Sequence, residues 1–136
     1  MAQAVHDSAV VFVAVPSLSF REVVKAVVRE LNSDAMLIST TKGIEAGTFL
    51  LMSQVLSEES PNSKIGVLSG PNLAKEIAAG HLTGTVIASS HEEVRDEVKA
   101  LLKSETLRVY ANDDMFGVEL GGSLKNIYAI ITGIAA

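Results

Sequence analysis

The chain has 136 residues, of which 48% are hydrophobic and 20% charged, with ten glycines and three prolines. This composition suits one ordinary domain with a real core and argues against disorder. Eleven basic against sixteen acidic residues give a formal charge of -5 without any Lys/Arg run, so no nucleic acid partner is expected; the absence of cysteine removes disulfides, thiolate catalysis and cysteine metal sites.

Strand-like and helix-like segments alternate with little linker between them, which is the α/β pattern. Val10-Val-Phe-Val-Ala-Val15 is a continuous, β-branched apolar run suited to a strand covered on both faces, and Pro16 ends it. Ser19-Phe-Arg-Glu22 has capping-box spacing and predicts a helix whose apolar positions run from Val23 to Leu31, with Asn32 as its stop. Ala35 to Ser39 reads as a strand, Thr48 to Leu56 as a helix and Lys64 to Leu68 as a third strand. A helix over Leu73 to Ala79 and a strand over Thr85 to Ala88 follow. Ser90-His-Glu-Glu93 repeats the capping-box signal before Val94, Val98, Leu101 and Leu102, and Leu107-Arg-Val-Tyr110 is a short further strand. From about Asp114 a long apolar helix runs to Gly133-Ile-Ala-Ala136 without a polar cap, so the chain looks cut there. The N-terminal Met-Ala-Gln-Ala-Val-His-Asp has neither the basic start nor the apolar core of a signal peptide, and the apolar stretch after Lys125 is too short to span a bilayer. The expectation is a soluble, cytoplasmic protein with no membrane span.

Within the last helix, Gly117-Val-Glu-Leu-Gly-Gly-Ser-Leu-Lys-Asn126 sets a lysine beside an asparagine in otherwise apolar sequence. An ammonium facing a packed interface costs several kcal/mol unless it is paired, so Lys125 is the leading catalytic candidate. Its ordinary pKa, near 10.4, is too high for a base at neutral pH, and a second cation nearby would lower it. Lys42, in Thr41-Lys-Gly43 at the C-terminal end of a strand, is that candidate cation. Asn126 points about 100° away from Lys125 around the helix. In Ser69-Gly-Pro-Asn72 the proline suits a first helical position, so backbone amides near Gly70 and Asn72 are free to meet an anionic or polar ligand. No Gly-x-Gly-x-x-Gly turn follows a strand, and Gly121-Gly122 is read as permitting close helix packing.

Phe12-Val-Ala-Val-Pro-Ser17, Ser39-Thr-Thr-Lys-Gly-Ile-Glu45, Leu68-Ser-Gly-Pro-Asn-Leu-Ala-Lys-Glu76 and Gly117 to Asn126 resemble, in order, four signatures of NAD(P)-dependent glycerol-3-phosphate dehydrogenase of the bacterial type. The resemblance covers nearly the whole chain but only the middle of such an enzyme. It implies a partial Rossmann-like nucleotide-binding domain over 1–112, running into the first helix of an all-helical substrate domain over 113–136. The implied activity is reversible hydride transfer between NAD or NADP and the pair sn-glycerol 3-phosphate and dihydroxyacetone phosphate, feeding phospholipid synthesis. By resemblance Lys125 is catalytic, Lys42, Gly70, Asn72, Lys125 and Asn126 bind substrate, and Pro16, Lys42 and Ala74 contact cofactor, with Ser17 beside Pro16 in the cofactor wall. Asn72 stands where many relatives carry Ser or Thr. The glycine-rich turn and the family's Arg-Asn segment lie outside this sequence, which implies that the chain alone is inactive, and the residue that would choose between NAD and NADP lies outside it too.

Each assignment has a plainer rival. Lys125 can snorkel from a helix edge or pair with Glu119 in a folded neighbour, Lys42 can be a solvated loop lysine, and Gly70-Pro71 can be only a helix start. His6, His81 and His91 are read as surface or capping residues and Asp113-Asp114 as a solvated helix start, so no metal is assigned. Two alternatives to this enzyme remain: a shortened, non-catalytic relative that binds partners or self-associates, including as a homodimer, and another dehydrogenase of the same superfamily.

Overall fold

The computed structural model describes residues 5–32 and 34–135, with the side chain of Asn126 outside that description. Five strands form one sheet in sequence order: β1 (Val10–Val13), β2 (Met36–Ser39), β3 (Lys64–Ser69), β4 (Thr83–Ala88) and β5 (Leu107–Asn112). The first three are parallel, β4 runs antiparallel to β3, and β5 is parallel to β4. The connecting helices are α1 (Phe20–Val28), α2 (Met52–Glu59), α3 (Ala74–Ala78) and α4 (Glu92–Leu102), followed by the long α5 (Met115–Ala135). The α/β reading holds, with a Rossmann-like sheet and a helical C-terminal part.

The apolar strand runs follow from a core on each face of the sheet. Leu37 points into one layer with Val24, Val27, Val55 and Leu56 of α1 and α2; its neighbour Ile38 points into the other, with Ile87, Val94 and Val98. Successive strand side chains face opposite sides, so a strand covered twice has no polar alternation to show. Gly66 permits the tightest part of the second layer, since a Cβ there would lie 2.9 Å from both Ile38 Cδ1 and Val94 Cγ1.

Local signals are shifted at several element ends. Strand β1 stops at Val13, two residues before the predicted end, and Thr40 continues the pairing by donating its N–H to the Val13 carbonyl. Ser19 precedes α1, but its hydroxyl donates to the Pro16 carbonyl instead of capping the helix. At α4 the hydroxyl that receives the His91 N–H belongs to Ser89, not Ser90, and Ser89 also donates to the Ile65 carbonyl. Helix α2 begins at Met52, four residues later than expected, because Gly47 (φ 90°) and Phe49 (φ 61°) turn the chain first. The Gln54 side chain then accepts the Leu51 N–H. Asp114 starts α5 by accepting the Gly117 N–H at 2.8 Å.

Leu37 is fully buried between the sheet and two helices. Leu37→Ala is expected to lower unfolding stability by about 2–5 kcal/mol, read as a reduced urea midpoint with an unchanged slope.

Candidate functional site

The loops that leave β1, β2 and β3 at their C-terminal ends lie together, where parallel α/β sheets present ligand-binding groups. Thr41 ties the second loop to the first by donating its hydroxyl to the Val15 carbonyl at 2.7 Å. Gly43, at φ 148°, rests so closely on Ser17 that a Cβ would come within 2.8 Å of the serine Cβ. These contacts set Pro16-Ser17 beside the Lys42 loop.

The third loop needs glycine for a different reason. A Cβ on Gly70 would lie 2.9 Å from the Gly84 carbonyl and 3.0 Å from the Asn72 amide nitrogen, so Gly70 passes against the backbone of β4 with Asn72 folded over it. Pro71 does not open a helix. Leu73 is extended (φ -105°, ψ 124°) and α3 starts only at Ala74, so the predicted free amides around Gly70 and Asn72 belong to a loop rather than a helix N-terminus. Ala74 is exposed at the start of this short helix and does not line the cleft described next.

Helix α5 closes the other side of the site. It packs mainly along β3, and Gly122 allows the approach: a Cβ there would collide with the Ser69 hydroxyl and sit 3.8 Å from Lys42 Cε. Ser123 receives the Gly43 N–H at 3.2 Å, a direct tie between the Lys42 loop and the helix. A cleft of about 300 Å3 remains between the end of β3 (Ser69, Gly70, Pro71) and the helix (Gly121, Gly122, Lys125). The packing reading of the glycine pair therefore holds for Gly122, while Gly121 faces open space.

Lys42 and Lys125 are brought together. The Lys42 pKa is lowered, first by partial withdrawal from water and second by the positive charge of Lys125. Glu119 does not pair with Lys125: its carboxylate is buried and takes the Ser53 N–H and hydroxyl. Asn126 shares the helix with Lys125, and its side chain lies outside the described residues.

Sequence reasoning missed the ties that hold the Lys42 loop. Arg21 of α1 grips Glu45 with two parallel hydrogen bonds of 2.8 and 2.7 Å and reaches Glu58 and Glu59 at the end of α2. The guanidinium and the Thr48 hydroxyl hold the Glu45 carboxyl down to about 2. His6, His81 and His91 are exposed, and the described residues hold no group of three metal-ligating side chains and no helix long and apolar enough to cross a membrane.

The family model described as "NAD-dependent glycerol-3-phosphate dehydrogenase N-terminus" matches residues 1–95. The chain belongs to that family. It is 56% identical over 132 residues to a glycerol-3-phosphate dehydrogenase [NAD(P)+] of Teredinibacter turnerae, covering 97% of this chain and 39% of that protein. A namesake from Acinetobacter baylyi is 57% identical over 133 residues, covering 98% and 37%. The crystal structure of glycerol-3-phosphate dehydrogenase from Coxiella burnetii superposes with a TM-score of 0.91 at 35% identity, covering 99% of this chain and 41% of that one. The chain therefore spans about two fifths of the length of the relatives it matches.

Two measurements check this geometry. In an NMR titration of lysine side chains, Lys42 is expected to titrate below 10.5 and to move up toward it in Lys125→Met. Because the folded form releases this proton more readily than the unfolded form, stability should rise with pH across the window ending at 10.5. The Glu45 carboxyl is depressed instead, so its stabilising contribution is complete above 4.5 and should be lost as pH falls toward 2, a dependence that Glu45→Gln removes.

Proposed function

We propose that this chain is the part of an NAD(P)-dependent glycerol-3-phosphate dehydrogenase that carries its proton-transfer lysine. The observation that carries the reading is that Lys125 and Gly70 line one cleft at the C-terminal end of β3, with Lys42 close to the same helix at Gly122. Residues 1–112 are the later part of the nucleotide-binding domain and 113–136 the start of the helical substrate domain.

The residues fit the reacting end of a nicotinamide cofactor. The cleft wall is mostly apolar, Pro16 is exposed beside the Lys42 loop, and Gly121 leaves backbone open to close approach. Pro16, Lys42 and Ala74 would contact NAD or NADP. No Gly-x-Gly-x-x-Gly turn for the pyrophosphate occurs in this sequence. When bound, the nicotinamide supplies hydride exchange with the substrate carbon.

The chain's own groups then handle the proton and the phosphate-bearing substrate. Lys125 takes the proton from the secondary hydroxyl of sn-glycerol 3-phosphate and returns it to the oxygen of dihydroxyacetone phosphate in reverse. Lys42 adds positive charge where an anionic substrate enters, and its pKa is lowered first by partial burial and second by the charge of Lys125. Gly70, Asn72 and Asn126 would bind the substrate. The product would serve phospholipid synthesis in the cytoplasm.

One observation favours a second reading. Phe116, Ile127, Tyr128, Ile130, Ile131 and Ile134 of α5 are each more than half exposed. An apolar face of this kind favours self-association, and a homodimer is the simplest form of it. Light scattering on the chain separates the readings: a strictly monomeric, well-folded chain counts against association.

The activity test is oxidation of NADH and NADPH dependent on dihydroxyacetone phosphate, with this chain beside a version extended to the full length of its relatives. Turnover is expected only in the extended protein. There, Lys125→Ala should reduce kcat by about 10²–10⁴-fold while leaving cofactor affinity nearly unchanged; near-normal turnover refutes the assigned role.

A further inference from the structure

Lys125 sits on a helix that meets the rest of the chain through small residues and a few hydrogen bonds, so its place depends on what fixes that helix. Glu119, six residues earlier, is 3% exposed and is the one ionisable side chain in the buried set among the described residues. It receives the Ser53 N–H at 3.0 Å and the Ser53 hydroxyl, and the Met52 amide adds a further hydrogen bond. These donors form the first turn of α2, where amides lack partners within the helix and the dipole favours negative charge. Burial pushes the Glu119 carboxyl up, and the serine and backbone donors oppose that rise.

The contact joins the two parts of the chain that carry the amines. Helix α2 begins where the Lys42 loop ends, and α5 carries Lys125. Six helical residues span about 9 Å of rise and about 240° of rotation, so Glu119 faces away from Lys125 and acts on it only through the helix. We propose that Glu119 is a positioning residue: its carboxylate, seated on the first turn of α2, sets the height and rotation of α5 and thereby the spacing of Lys125 from Lys42.

The inference rests on the proposed roles of Lys42 and Lys125, and its test does not use turnover, so failure of the enzyme reading would leave the result legible. The probe is the NMR titration midpoint of the Lys42 amine in this chain, with urea unfolding as the check of folding. Deleting a carboxylate acts directly on a lysine by lowering its pKa, whereas moving Lys125 away removes a repulsion and raises it. Lys125 is the charged group that acts on the Lys42 amine in the native arrangement. Glu119→Ala is therefore expected to move the Lys42 midpoint upward by most of the rise seen in Lys125→Met. Glu119→Gln keeps an oxygen to accept the Ser53 N–H and should restore the native midpoint or lower it slightly. A folded Glu119→Ala variant whose midpoint stays or falls would overturn the proposal. Should Glu119→Ala not fold, Ser53→Ala removes only the hydroxyl partner; an upward shift there supports the proposal and an unmoved midpoint overturns it.

Discussion

Two ammonium groups borne by different segments have to be held side by side against their own repulsion. Like charges repel, and more strongly beside a protein surface than in bulk water. No carboxylate among the described contacts pairs with either amine to relieve this, so the backbone around them must be tied from elsewhere. Thr41 is bound to Val15, Glu45 is gripped by Arg21, Gly43 donates to Ser123, and Glu119 is seated on Ser53. Each tie holds the Lys42 loop or the Lys125 helix; the third holds one against the other, and the last seats the helix on the start of α2. Gly43, Gly70 and Gly122 are the complementary device, since a side chain at any of them would press into a neighbour and widen the site.

The sheet was legible because both of its faces are buried. Leu37 and Ile38 enter opposite layers, and the resulting apolar runs mark the central strands, while β5, exposed over most of its length, carries the weaker pattern Leu107-Arg-Val-Tyr110. Element ends were less legible, for local reasons. The Ser19 hydroxyl turns back to the Pro16 carbonyl, and the hydroxyl at the start of α4 is supplied by Ser89 rather than Ser90, so turn geometry overrides the spacing of the motif. Pro71 suits a helix start, yet Leu73 stays extended and delays α3.

In the site, Lys42, Gly70 and Lys125 could be singled out because each is chemically conspicuous where it stands. The ties could not, because nothing local announces them: Arg21 and Glu45 are 24 residues apart, and Ser53 and Glu119 are 66 apart. A signal existed for Glu119 all the same. The reasoning that made Lys125 suspicious, a charge in an apolar helix that must be justified, applies equally to a glutamate between Val118 and Leu120. It called for a partner, and that partner, Ser53, is distant in sequence.

The reversal of direction between β3 and β4 has a consequence for where the chain tolerates change. Because β4 and β5 run opposite to the first three strands, β5 ends at the pole away from the amines, where Met115 lies near Ser63 and His91. Helix α5 must then run back along β3, and it reaches Ser69 at Gly122, shortly before Lys125. The turns at 89–91 and 112–114 sit at that distant pole. Lengthening either of them would add chain without entering the space around the two amines, whereas a single residue inserted between Asp114 and Lys125 would turn the reactive side chain about 100° out of the cleft.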